Sequence, residues 1–162
     1  MPSSGRRVER TGSAHEKAMK LLVITDLEEG AGDFLATARE WAARFADWVW
    51  IVHVEGPDPA FVGYDAGPQE VRDAVAHEIR DHRKQLEDEA DLWRETGLDT
   101  MALTIQGPVV KTVLAEAEKV EADAIVMAAP SHGRLHDLLL GNLADSLIRK
   151  AKCPVLVIPA EG

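Results

Sequence analysis

Five short apolar runs punctuate the chain, and between them apolar positions recur every three or four residues. The runs are residues 20–26 (KLLVITD), 48–55 (WVWIVHVE), 99–106 (DTMALTIQ), 123–129 (DAIVMAA) and 154–159 (PVLVIP). Each is rich in branched residues or bounded by turn signals, which reads as strand. The first, fourth and fifth are apolar almost throughout, as strands covered on both faces are. The second and third carry more polar residues and read as lying nearer a sheet edge.

The intervening stretches have the helical period. Residues 31–46 put Phe34, Leu35, Ala38, Trp41, Ala42 and Phe45 on one stripe. Residues 108–120 open with proline at an early helical position and gather Val110, Val113, Leu114 and Ala117 on one face. Residues 68–96 space Val71, Val75, Ile79, His82, Leu86, Ala90 and Trp93 by three or four, with charges between them. That predicts one amphipathic helix of roughly 40 Å at 1.5 Å per residue, stopped by Gly97. Asn142 is placed to cap a last helix with Leu143, Leu147, Ile148 and Ala151 as its stripe. Residues 56–67, with Pro57, Pro59, Gly63 and Gly67, read as a long loop.

Strand alternating with helix predicts an α/β, Rossmann-like fold: a five-stranded parallel sheet with helices on both faces. Right-handed crossovers leave very few topologies, and the expected strand order is 3-2-1-4-5. Ligands in such sheets sit beyond the carboxyl ends of the strands, where the winding reverses. Here the reversal falls between the first and fourth strands, whose exits carry Asp26 and residues 128–131. The loop after the fourth strand offers backbone amides at Ser131, His132 and Gly133. It offers more at Gly141 and Asn142, where the last helix is expected to begin and an anion is favoured. Pro130 removes one donor from the same loop.

Composition narrows the function further. A chain of 162 residues is one domain able to bury a full core. Residues 1–17 are polar, with Arg6, Arg7 and Arg10 and no apolar stretch. They read as a flexible tail ahead of a domain of residues 18–162, not as a secretory signal. No run approaches the length of a membrane span. A net charge of −10, with cations scattered among acids, disfavours both nucleic acid and anionic membranes. The single Cys153 cannot close an internal disulfide, which fits a reducing cytoplasm, and it reads as a small buried side chain. No nucleophile elbow, Walker loop, His-Glu-x-x-His motif or catalytic carboxylate pair is present, so no enzymatic activity is expected.

Other candidates read as structural. His132, His136 and Asp137 lie in a loop-like segment with no second cluster, so they read as a solvated loop, and no metal of the protein's own is expected. His53 reads as a hydrogen-bonded core residue, and His77 and His82 as members of a charged helix. Trp41, Trp48 and Trp50 read as core packing. Gly30-Ala31-Gly32 reads as a turn into a helix, lacking the third glycine of a dinucleotide fingerprint. Residues 155–158 form an apolar edge strand that a two-fold strand-to-strand dimer would cover.

Three segments resemble the universal stress protein family over about residues 17–160. They are LLVITD, IVHVE, and the long VMxxxSHGR…LLLGN…ADSLIRKAKCPVLVIP. The resemblance implies a five-stranded parallel α/β fold, usually paired as a homodimer through the last strand, some members of which bind ATP. Members that bind nucleotide usually show Gly-x2-Gly-x9-Gly-Ser/Thr after the fourth strand. In this sequence Pro130 stands at the first glycine, Gly133 at the second, Gly141 at the third and Asn142 at the Ser/Thr, with a loop two residues shorter. By resemblance Asp26 helps hold the nucleoside and Val54 takes the strand-two backbone position near adenine. Ser131, His132, Gly133, Arg134, Gly141 and Asn142 form the phosphate loop. The implied function is a cytoplasmic stress-response regulator without turnover that binds ATP or AMP, AMP suffering less from the altered loop. A nucleotide-free dimeric interaction protein of the same fold is the alternative, and a slow ATPase a third reading.

Overall fold

The computed structural model describes residues 18–56, 69–129 and 135–159. The tail of residues 1–17, most of the expected loop after the second strand, and residues 130–134 lie outside them. In chain order the elements are β1 (Lys20–Ile24), α1 (Ala31–Ala42), β2 (Trp48–Glu55), α2 (Gln69–Glu95) and β3 (Asp99–Gln106), then α3 (Val109–Lys119), β4 (Ala124–Ala128), α4 (Leu135–Lys150) and β5 (Val155–Ile158). The five strands form one parallel sheet in the order β3-β2-β1-β4-β5. Both the class and the order are those expected.

Alternation along each strand sorts the core into two layers. Leu21, Val23, Val49, Ile51 and Val126 face one way and pack under Phe34, Leu35 and Ala38 of α1 and Leu86, Ala90 and Trp93 of α2. Leu22, Ile24, Val52, Ile125 and Met127 face the other way, against Val113 and Ala117 of α3 and Leu143 and Leu147 of α4. Each fully buried branched side chain contributes ~1.5–3 kcal/mol relative to exposure, so the sheet is held by two independent apolar interfaces. Polar contacts register the helices. Glu89 Oε1 accepts from the indole of buried Trp93 at 2.8 Å and from Arg39 of α1 at 3.1 Å. Arg94 Nε donates to the Thr100 carbonyl at 2.9 Å, tying the end of α2 to β3.

Several boundaries differ from the sequence expectation. β1 ends at Ile24, because the side chains of Thr25 and Asp26 capture the amides of Leu27 and Glu28 and turn the chain. Pro108 is the extended residue before α3 (ψ 122°) and not part of its first turn. β2, next to the edge strand β3, is paired on both sides. Of its polar residues, His53 is buried and Glu55 half-buried, both beside α2. β5, apolar throughout, is an edge strand, and Val155, Leu156 and Val157 are only half-buried. The largest correction concerns α4, which begins at Leu135. Asn142 therefore does not cap it. Gly141 and Asn142 are its seventh and eighth residues, where a glycine costs about 1 kcal/mol relative to alanine but does not stop the helix.

Candidate functional site

The winding of the chain reverses between β1 and β4, which lie side by side in the centre of the sheet. Their carboxyl ends therefore open into one crevice. On the β1 side the chain leaves through a tight turn. Thr25 Oγ1 accepts from the Leu27 amide at 3.1 Å, and Asp26 Oδ1 from the Glu28 amide at 3.0 Å. Leu27 is forced to φ 61°, a conformation uncommon for a side chain of its kind. Gly30, at φ 91°, caps α1, so the Gly30-Ala31-Gly32 stretch is the turn into a helix that the sequence suggests. Asp26, Glu28 and Glu29 are all exposed on this rim.

β2 runs past the end of β1, whose last paired residue, Ile24, stands opposite Val52. The Val52 carbonyl accepts from Thr25, whereas the Glu55 carbonyl accepts from Gly107 beyond β3. Alternation thus directs the backbone groups of Val54 toward β1, beyond its last paired residue. The structure brings Asp26 and Val54 to the same end of the sheet. On the β4 side, Ser131, His132, Gly133 and Arg134 lie outside the described residues. Gly141 and Asn142 lie within α4, where helical hydrogen bonding occupies their backbone amides.

A second group of polar residues meets where β2 leaves the sheet. His53 Nδ1 lies 3.0 Å from the Thr25 carbonyl, and His53 Nε2 lies 3.3 Å from Glu55 Oε1. His82, from α2, places its Nδ1 2.6 Å from the same oxygen. The two imidazole rings meet edge to face, with centroids 4.9 Å apart. Sequence alone does not assemble this group: His53 reads as a core residue and His82 as part of a charged helix. The available signal was that His82 occupies an apolar-stripe position of α2, on the line of Leu86 and Trp93 that faces the sheet.

At the opposite end of the sheet a cavity of about 280 Å³ is lined by Leu114, Ala117, Ile125 and Cys153, among others. It shares no residue with the crevice. Trp48 and Trp50 stack at 6.0 Å and Trp41 meets Phe45 at 4.2 Å. Trp41 and Trp50 pack against opposite core layers, whereas Trp48 is exposed. Among the described residues no helix is long and apolar enough to cross a membrane.

Comparison with known proteins gives this architecture its context. The chain is 29% identical over 141 residues to a universal stress protein of Methanocaldococcus jannaschii, covering 86% of this chain and 81% of the relative. A solved universal stress protein from Burkholderia pseudomallei superposes with a TM-score of 0.63 at 28% identity, over 91% of this chain and all of its own. Another, from Archaeoglobus fulgidus in complex with dAMP, shares the fold at 18% identity and a TM-score of 0.54, over 88% of this chain and 98% of its own. The sequence model of the universal stress protein family matches residues 17–159. With that match and the β3-β2-β1-β4-β5 sheet in agreement, the chain belongs to the universal stress protein family.

Proposed function

We propose that this chain is a non-catalytic, cytoplasmic regulatory protein that binds an adenine mononucleotide in the crevice between β1 and β4 and works as a homodimer. The observation that carries the reading is the strand order, which sets the Asp26 turn beside the exit of β4. Asp26 offers a carboxylate at the rim, with Oδ1 already fixed by the Glu28 amide, to accept from ribose hydroxyls. The Val54 amide and carbonyl suit the edge of the purine. Ser131, His132, Gly133 and Arg134 take the phosphate, with Arg134 supplying positive charge. The first turn of α4, which starts at Leu135, supplies helix-terminal amides in place of those of Gly141 and Asn142. The dAMP complex of the Archaeoglobus fulgidus relative supports a monophosphate as the cargo.

Charge favours the small nucleotide. Glu28 and Glu29 stand on the rim with Asp26, and each carboxylate near a triphosphate costs on the order of 1 kcal/mol after screening. A monophosphate carries fewer charges into that field. Regulation then requires only that nucleotide affinity differ between the partner-bound and free forms of the protein.

Equilibrium dialysis with labelled AMP, ADP and ATP tests this. AMP is expected to be retained more strongly than ATP. Asp26→Ala should weaken AMP roughly tenfold or more, since hydrogen bonds to a charged group contribute ~1.5–3 kcal/mol. No retention of any nucleotide at millimolar concentration leaves the nucleotide-free interaction protein as the correct reading. Phosphate release from ATP that disappears in Asp26→Ala establishes the slow ATPase instead.

A further inference from the structure

His53 and Glu55, two residues apart on β2, share one face of the sheet, and α2 lowers His82 onto that face. The Thr25 carbonyl, 3.0 Å from His53 Nδ1, can only accept a hydrogen bond, so the Nδ1 nitrogen carries the proton. In the neutral ring Nε2 then presents a lone pair. That nitrogen is buried in a residue 6% exposed and has no hydrogen-bond partner. What it faces, 3.3 Å away, is Glu55 Oε1, another acceptor. Two acceptors opposed in a site of low solvent access are unfavourable unless something positive lies between them.

We propose that His53 Nε2, the Glu55 carboxylate and His82 Nδ1 bind a divalent transition-metal ion, with Zn²⁺ the best match. The three ligand atoms already lie within 4.8 Å of one another. Tetrahedral ligands at ~2.0–2.1 Å from zinc stand about 3.3 Å from each other, the separation found between His53 and Glu55. The 2.6 Å contact between Glu55 and His82 must lengthen, and His82 is the half-buried member of the two histidines, while His53 is buried. A proton on Nε2 is the poorer solution, because the approach to Glu55 lacks hydrogen-bond alignment.

The surroundings match metal chemistry as well. A histidine that ligates through one nitrogen usually donates the other N–H to a carbonyl or carboxylate, which fixes its tautomer. Thr25 holds that place. Two imidazoles and one carboxylate suit zinc, cobalt or nickel better than magnesium or calcium. Three protein ligands leave a fourth position for water or an exogenous donor. The site stands independently of the nucleotide reading, on the opposite face of β2 from the Val54 side chain.

The full chain, stripped with chelator, is titrated with Co²⁺ while its visible d–d absorption is recorded, and the Co²⁺ is then displaced with Zn²⁺. One equivalent with a four-coordinate spectrum is expected, together with a rise in melting temperature on adding Zn²⁺. His82→Ala and Glu55→Gln should each weaken binding at least tenfold while retaining the wild-type circular dichroism. His77→Ala, an exposed histidine on the same helix, should leave it unchanged. Absence of the cobalt band overturns the proposal, and so does equal affinity in His82→Ala, which would put the ion at other histidines. Nitrogen-15 shifts showing His53 protonated on both nitrogens, and unmoved by Zn²⁺, would assign the position to a proton and overturn it equally.

Discussion

Cys153 stands just before β5, half-buried beside Ile125. Burial pushes its thiol above the ordinary 9.0 and the charge of Asp123 adds to this, while the backbone amides of Cys153 and Ile125 work against it. The thiolate is the reactive form, so alkylation by iodoacetamide at pH 8 should be several-fold slower in the native protein than in urea. The same shift links to stability. The folded state holds the proton more tightly than the unfolded one, so its contribution is complete below pH 9.0 and is lost as pH rises through the folded value. Urea melts between pH 9 and 11 should therefore show wild-type stability falling more steeply than that of Cys153→Ala; parallel slopes would refute the linkage. Cys153 is half-buried, and a small packed side chain was legible from its place between Lys152 and Pro154 at the head of an apolar run. The meeting of His53, Glu55 and His82 was not, because His82 and Glu55 are 27 residues apart and join only once α2 chooses its face.

Among the elements, α2 shows how far periodicity reaches. Its stripe predicts both the extent of the helix and its buried side, and Leu86, Ala90 and Trp93 are buried as the spacing requires. Its end depends on Gly97, whose φ of +89° lies in the left-handed region while its amide bonds to the Arg94 carbonyl at 2.9 Å. A Cβ there would meet no atom within 4 Å, so Gly97→Ala isolates the backbone term. It should destabilise by about 1 kcal/mol, set by the cost of a non-glycine residue in that conformation. Chemical denaturation reads this directly, and an unchanged midpoint would mean that the chain ends the helix by another route. α4 starts earlier than its local capping signal suggests. Asn142 after Gly141 has the chemistry of a cap, but the run Leu138, Leu139 and Leu140 ahead of it continues the same helix, and local capping preference yields to that continuation.

For the whole molecule, the strand order was legible because alternating strands and helices with right-handed crossovers permit few arrangements. That order also makes β3 and β5 the edges, but how much of an apolar edge strand the chain itself covers is not legible in the run alone. β5 is such a strand: Val155, Leu156 and Val157 are half-buried in the single chain. The Pro154 and Ile158 carbonyls accept from Ile125 and Ala129 at the β4 side, so alternation turns the amides of Val155 and Val157 outward. An apolar edge with outward amides is a template for a second strand, and a two-fold axis lets one β5 supply another with the same groups. Val157→Pro removes one outward donor and keeps the bonds to β4, and proline is tolerated at a sheet edge. Sedimentation equilibrium should find the wild type dimeric and Val157→Pro monomeric, with its helical circular dichroism intact. A variant that stays dimeric would place the interface on another surface, leaving the β5 edge to be covered in some other way.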